Sequence, residues 1–162
     1  MKIIGKIETP LQVLLVDDNP GDIRLTREAF LDSTISFRLH VAVDGLDTMA
    51  FLRREGMHVL APRPDMILLD LNLPKMDGRE VLLRIKTDDD LKSIPTIVLT
   101  SSTAEVDIVT SYQLQANCYL AKPLQLEAFH QVMKGITDFW LTKVLLPRHD
   151  PIHHATRGET PE

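Results

Sequence analysis

The sequence predicts an α/β fold: a doubly wound, five-stranded parallel sheet with helices on both faces. Short apolar runs alternate with helical patterns five times along the chain. Most of these runs are apolar throughout, which is typical of parallel strands that are buried on both faces. The runs end abruptly in polar or turn-forming residues, where a strand gives way to a loop. Together these observations favour alternating strands and helices in one sheet.

The five predicted strands differ in their predicted burial. Residues 11–16, 66–69 and 96–99 are apolar runs, whereas residues 118–120 form only a short one. Residues 37–43 alternate apolar and polar side chains, which predicts a half-buried strand near a sheet edge. The predicted helices cover residues 22–31, 46–56, 79–86, 104–114 and 125–146. Ser102 and Glu105 have the spacing of a capping box for the fourth helix.

Length and composition favour one globular domain. The chain has 162 residues, of which 44% are hydrophobic and 25% are charged. Its net charge of −5 argues against general nucleic-acid binding, because phosphate neutralisation needs a basic surface. Neither a membrane-spanning run nor a secretory signal is visible. One cysteine cannot form an internal disulfide, which fits a reducing cytosol. From these observations together we expect a cytoplasmic protein with no membrane partner.

Polar side chains follow four of the predicted strands. Asp17 and Asp18 follow the first, Asp70 the third, Thr100 the fourth and Lys122 the fifth. Ligands of doubly wound sheets bind at the carboxyl ends of the strands, so we expect these side chains in one crevice.

Three carboxylates in one crevice repel each other unless a cation lies among them. Oxygen ligands suit a hard cation, which predicts Mg²⁺, with Mn²⁺ as an alternative. Carboxylate, divalent metal, lysine and hydroxyl are the groups that phosphoryl transfer uses, and an aspartate carboxylate can accept a phosphoryl group. The sequence therefore predicts phosphoryl chemistry at this edge of the sheet.

Four motifs resemble the receiver domain of response regulators; in order, they are VLLVDDNP, ILLDLNLPKMDG, IVLTSS and YLAKP. The resemblance covers about residues 11–146 and implies a flavodoxin-like sheet with strand order 2-1-3-4-5. The expected organisation is an N-terminal extension (1–10), a receiver domain (11–146) and a flexible C-terminal tail (147–162).

The resemblance also assigns a role to each polar residue. It implies that Asp70 is the phosphoacceptor and that Thr100 and Lys122 contact the phosphoryl group once it is attached. It implies that Tyr119 is an aromatic switch residue that turns inward with Thr100, and that the Lys122–Pro123 peptide bond is cis. The metal ligands that it implies are Asp17, Asp18, Asp70 and the backbone carbonyl of Asn72.

Longer stretches resemble the single-domain regulators that accompany phytochrome histidine kinases in bacteria, especially cyanobacteria. They include DNPGDIRLTREAF, APRPDMILLDLNLPKMDGREVL and SYQLQANCYLAKP. The resemblance implies a two-component response regulator without an output domain. Such a protein is not itself an enzyme. It accepts a phosphoryl group on Asp70 from a histidine kinase, here of the phytochrome type, and signals through protein contacts.

The predicted last helix, about 33 Å long at 1.5 Å per residue, carries more apolar surface than one sheet face can cover. An exposed apolar patch of this kind favours a homodimer. The alternative is a core helix whose apolar end packs on the domain's own surface. The interface residues that we predict are Phe129, Val132, Met133, Ile136, Phe139 and Trp140.

Three other functions stay open from the sequence. A degenerate receiver would act as a phosphorylation-independent binding module, although all five key side chains are present. A phosphatase with an aspartate nucleophile would need a general acid where the sequence has Asn72. A flavodoxin-type carrier would need a neutral phosphate loop after the first strand, where Asp17 and Asp18 would repel a phosphate.

Overall fold

The computed structural model describes residues 9–147, and in this range five strands alternate with five α-helices. The strands are β1 (Leu11–Val16), β2 (Phe37–Ala42), β3 (Met66–Leu69), β4 (Thr96–Thr100) and β5 (Cys118–Ala121). The helices are α1 (Pro20–Leu31), α2 (Gly45–Arg53), α3 (Gly78–Thr87), α4 (Glu105–Gln113) and α5 (Leu126–Gly135). No helix in the described range is long and apolar enough to cross a membrane. Most of the predicted N-terminal extension and nearly all of the predicted tail lie outside the described residues.

The sheet is parallel throughout, with strand order β2-β1-β3-β4-β5. This confirms the expected strand order and the position of β2 at an edge. In the middle of the sheet Val16 pairs with Leu69, so Asp17 and Asp70 both come one residue after the paired strand ends. Parallel pairing therefore brings the polar residues that follow these strands to the same edge of the sheet.

Helices cover both faces of the sheet, as the apolar strands predicted. Side chains alternate along each strand, so Leu14 and Val16 face a core that is shared with α2 and α3. Val13 and Leu15 face the opposite core, which includes Phe30 of α1. The fold class predicted from the sequence is confirmed.

The last helix is shorter than predicted. Regular α-helix ends at Gly135 and passes into a π-helical turn over Ile136–Trp140, so the predicted extent of 125–146 is wrong. The widened turn rotates the residues that follow it, and the apolar stripe does not continue as one straight face.

The helix also uses its apolar stripe within its own domain. Phe129, Met133 and Ile136 are at most 2% exposed and belong to the core shared with α1, so their prediction as dimer-interface residues is wrong. Val132 and Trp140 are partly buried against the same core. Among the six predicted interface residues, Phe139 alone is exposed, at 55%. The apolar side chains of α5 recur every three to four residues and so lie on one side of the helix. That side packs against the sheet.

Candidate functional site

Four strand ends and the start of α1 converge on one crevice. Carboxylate oxygens of Asp17, Asp18 and Asp70 lie within 4.8 Å of one another; Asp17 and Asp70 are buried, whereas Asp18 is exposed. The lining of the crevice includes Asp18, Asp22, Asp70, Asn72 and Lys122. Asp17 lies behind this lining, at the end of β1.

Lys122 lies among the carboxylates, with a side chain that is 7% exposed. Its Nζ donates to Asp17 Oδ2 at 2.6 Å and to Asp70 Oδ2 at 2.8 Å, and forms an ion pair with Asp22 Oδ2 at 2.9 Å. Burial alone would lower the pKa of Lys122, but the hydrogen bonds and the attraction of Asp17 and Asp70 outweigh it and raise the pKa above its ordinary value. Lys122 is therefore a fixed positive charge in the crevice.

Burial acts in the opposite direction on Asp17. Desolvation raises the pKa of this carboxyl above its usual range, and hydrogen bonds from Lys122 and from the Asn19 N–H offset only part of the rise. Ionised Asp17 is thus costly without a cation beside it. A metal ion would relieve this cost together with Lys122.

The carboxylate of Asp70 is fixed through both of its oxygens. Thr100 Oγ1 donates to Asp70 Oδ1 at 2.9 Å, and the Asn72 N–H donates to the same oxygen at 3.0 Å. Lys122 donates to the other oxygen, Oδ2. Three donors, from the end of β4 and from the segments that follow β3 and β5, therefore hold one carboxylate in the crevice.

The start of α3 approaches the backbone of Asp70 and Leu71 closely. The Gly78 N–H donates to the Leu71 carbonyl at 2.9 Å. A Cβ atom at position 78 would lie 2.3 Å from the Asp70 carbonyl oxygen and 2.5 Å from the Leu71 Cα, so no other residue fits here without movement of the backbone. The glycine at this position keeps the start of α3 against the site.

The donor set fits a divalent cation. Its three carboxylates are hard oxygen ligands, and their oxygens are close enough together to share one ion. Asn72 lines the same crevice. Asp17, Asp18 and Asp70 are the residues that would hold Mg²⁺ or Mn²⁺ here, and the Asn72 carbonyl is the further ligand that the receiver resemblance implies.

Sequence analysis missed Asp22 as a site residue. Its carboxylate contacts Lys122, whereas the sequence pattern marked only its suitability for a helix start. The available signal was its position: Asp22 lies in the first turn of α1, which begins directly after the segment that carries Asp17 and Asp18.

One expectation from the resemblance is wrong. No peptide bond among residues 9–147 is cis, so the Lys122–Pro123 bond is trans. The trans form is favoured by about 0.5–1 kcal/mol even before proline. With this bond trans, Lys122 still reaches Asp17, Asp22 and Asp70.

The loop between β4 and α4 is held by side chains from three elements. Tyr119 Oη donates to the Ser102 carbonyl at 2.7 Å, and Ser102 Oγ donates to Asp107 Oδ2 at 2.5 Å. Asp107 also accepts two hydrogen bonds from Arg79 of α3, at 2.7 and 2.6 Å. α4 begins at Glu105 with no side-chain cap, so the predicted capping box is wrong: the Ser102 hydroxyl bonds Asp107 instead.

The Arg79–Asp107 pair predicts a specific acid sensitivity. The hydrogen bond from Arg79, together with that from Ser102, lowers the pKa of Asp107 to about 2. Because the folded-state pKa is lowered, this stabilisation is present above about pH 4 and is lost as the pH falls towards 2. We expect Asp107→Asn to destabilise the protein at pH 7, with the difference from wild type shrinking between pH 4 and pH 2. Denaturant unfolding across this pH range measures it, and a pH-independent difference would contradict the assignment.

Comparison with known proteins agrees with this geometry. Residues 13–134 match the family described as the response regulator receiver domain. The chain belongs to this family. The matched range includes the five polar residues that the sequence analysis singled out, which are Asp17, Asp18, Asp70, Thr100 and Lys122.

The receiver is similar to characterised cyanobacterial proteins. It is 50% identical to the response regulator Rcp1 of Synechocystis sp. over 138 residues, which are 85% of this chain and 94% of Rcp1. The crystal structure of the Mn²⁺-bound form of Rcp1 superimposes with a TM-score of 0.84 over 86% of this chain and all of that one, at 50% identity. The phosphorylated cyanobacterial phytochrome response regulator RcpA gives the same TM-score and coverage at 49% identity.

Proposed function

We propose that Asp70 of this receiver accepts a phosphoryl group from a histidine kinase, and that the modified protein passes the signal on through protein contacts. One observation carries the proposal: the Asp70 carboxylate is held at the crevice by Thr100, Asn72 and Lys122. Because these donors are already in place, they can stabilise the charge that develops during transfer without having to move. The similarity to RcpA, whose structure is of a phosphorylated form, supports the proposal.

The transfer step follows from these contacts. A carboxylate oxygen of Asp70 attacks the phosphorus, the P–N bond of the kinase phosphohistidine breaks, and the imidazole nitrogen keeps the electron pair and takes up a proton. Mg²⁺, held by the carboxylates and the Asn72 carbonyl, would neutralise charge on the phosphoryl oxygens. Lys122 supplies a second positive charge 2.8 Å from Asp70.

Phosphorylation changes the partners of Thr100. The hydroxyl now donates to Asp70, and it would donate to a phosphoryl oxygen once the group is attached. The phosphoryl group adds about two negative charges and strong acceptors. Thr100 ends β4, and Tyr119 holds the following loop through its hydrogen bond to the Ser102 carbonyl. A movement of Thr100 and Tyr119 would therefore move this loop and the start of α4. The phosphoryl group thereby changes the balance between two arrangements of the loop between β4 and α4.

The proposed partner is a phytochrome-type histidine kinase. Two observations support it: the similarity to RcpA, described as a phytochrome response regulator, and the similarity to Rcp1 over nearly its full length. Phosphoryl transfer to this receiver from a phytochrome-type kinase and from an unrelated histidine kinase should be compared, with Asp70→Asn as the blank. We expect a clearly higher kcat/KM with the phytochrome-type kinase. Equal values would contradict this choice of partner.

We further propose that the protein acts as a switch in the cytoplasm and not as a phosphatase. Asn72 stands where an aspartate-nucleophile phosphatase needs an acid, and an amide cannot donate a proton in that role. The single cysteine, Cys118, is consistent with a reducing compartment.

Homodimerisation is proposed on a smaller surface than the sequence suggested. Three large apolar side chains are exposed: Leu126 at the start of α5, Phe139 in the π-helical turn and Tyr112 on α4. Sedimentation velocity on the free and the phosphorylated protein tests it. A monomer in both states would contradict the dimer.

A further inference from the structure

Lys122 has three acidic neighbours, but their contacts differ. Asp17 and Asp70 accept well-aligned hydrogen bonds from Nζ, whereas Asp22 makes an ion pair at 2.9 Å. In the proposed function Asp17 holds metal and Asp70 takes the phosphoryl group. Asp22 is the one carboxylate around Lys122 that has no other task.

We propose that Asp22 is a positioning residue, which holds the Lys122 ammonium beside the phosphoacceptor while Asp17 and Asp70 are engaged. This inference rests on the proposed phosphorylation of Asp70. When the Asp70 carboxylate becomes an acyl phosphate, it loses its negative charge and part of its capacity to hold Lys122. The ion pair with Asp22 remains available throughout.

The local structure makes Asp22 a rigid anchor. Its N–H donates to Asn19 Oδ1, the N-terminal cap of α1, at 3.1 Å. Its carbonyl accepts a hydrogen bond from Thr26 Oγ1 at 2.8 Å. Pro20 opens the helix with a fixed backbone angle. The backbone that carries the carboxylate is therefore held by a cap, a side chain and the helix itself.

Lys122 needs such an anchor because its side chain is long. A lysine ammonium is a point charge on four flexible carbons, and holding it in one place costs conformational entropy. A catalytic charge that is displaced by about 1 Å can lose up to about a hundredfold in rate. The phosphoryl group lies beside Lys122 both when the acyl phosphate forms and when it is hydrolysed. Both steps should therefore depend on Asp22.

A plain charge effect predicts the opposite result. If Asp22 acted only through its negative charge, it would repel anionic phosphoryl donors. Its removal would then lower the KM for the donor and speed the reaction. The direction of the change, and whether it falls on kcat or on KM, therefore separates the two roles.

The test compares three variants with wild type: Asp22→Asn, Asp22→Glu and the control Glu28→Gln. Glu28 is on the same helix but pairs with Arg24 at 3.1 Å, and it does not line the crevice. Phosphorylation by acetyl phosphate with Mg²⁺ and the subsequent hydrolysis are followed by intact mass. We expect Asp22→Asn to lower the maximal rates of both steps about tenfold with little change in KM. Asp22→Glu should recover part of the loss, and Glu28→Gln should behave as wild type.

Two further results make the test decisive. The mobility of the Lys122 ε-methylene, followed by NMR on ¹³C-labelled lysine, should rise in Asp22→Asn and not in Glu28→Gln. Rates of Asp22→Asn at or above the wild-type value, or unchanged Lys122 mobility, would overturn the inference. A wild-type protein that accepts no phosphoryl group would overturn the proposed function, and the NMR signal would still report whether Asp22 anchors Lys122.

Discussion

Lys122→Met is expected to slow phosphoryl transfer strongly while leaving the Asp70 carboxylate in place. The methionine keeps the length of the side chain but removes the charge between Asp17 and Asp70, whose side chains are 2% and 8% exposed. Loss of one preorganised electrostatic partner lowers transfer rates by about 10²–10³. Leaving two buried carboxylates without their partner should also cost about 3 kcal/mol of unfolding free energy in metal-free protein.

Denaturant unfolding with and without Mg²⁺, together with acetyl phosphate kinetics, measures both effects. Mg²⁺ should recover more stability in Lys122→Met than in wild type, because the added cation replaces the missing charge. The control is Lys92→Met, in which the lost partner is the exposed Asp89. Surface ion pairs contribute little, so this variant should stay close to wild type. Equal losses in the two variants would show that Lys122 has no special role.

Gly78→Ala is expected to destabilise the fold strongly. The added methyl group would overlap the Asp70 carbonyl oxygen at 2.3 Å and the Leu71 Cα at 2.5 Å. Both atoms belong to the backbone, so no side-chain rotation relieves the overlap. Overpacking of this kind costs about 3 kcal/mol. Since the displaced backbone carries Asp70, the proposed phosphoacceptor, phosphorylation by acetyl phosphate should slow as well.

Gly135→Ala is the matched control for this substitution. A Cβ atom at position 135 meets nothing within 4 Å, and this glycine ends α5 in a helical conformation. Alanine is favoured over glycine in a helix by about 1 kcal/mol, so the control should be as stable as wild type or more so. Thermal unfolding of both variants tests the contrast. A Gly78→Ala protein with wild-type stability would show that the loop after Asp70 can move aside at little cost.

The sequence was most informative where a periodic pattern met a change of residue type. Apolar runs located the strands, and the alternation in residues 37–43 indicated that β2 lies at an edge of the sheet. Because parallel strands share one polarity, the residues after Val16 and Leu69 had to meet at one edge of the sheet. Placing Asp17 and Asp70 together needed no more than this.

Two of the wrong predictions concern features that depend on tertiary contacts. The apolar stripe of the last helix looked like an interface, but Phe129 and Met133 fill the domain's own core. The spacing of Ser102 and Glu105 suggested a cap, but Arg79 brings Asp107 to the Ser102 hydroxyl. A periodic pattern shows which side of a helix is apolar, and not what that side packs against.

The central claim is that Asp70 is the phosphoacceptor of a metal-dependent switch. The most direct measurement is the intact mass of the protein after incubation with acetyl phosphate, with and without Mg²⁺, for wild type and Asp70→Asn. We predict a gain of one phosphoryl group in wild type with Mg²⁺ and none in the other three samples. If the acyl phosphate is hydrolysed too fast to be seen, binding of beryllofluoride, a stable mimic of the phosphoryl group, is measured instead. An equal gain in Asp70→Asn, or a folded wild type that neither gains the group nor binds beryllofluoride, would contradict the account.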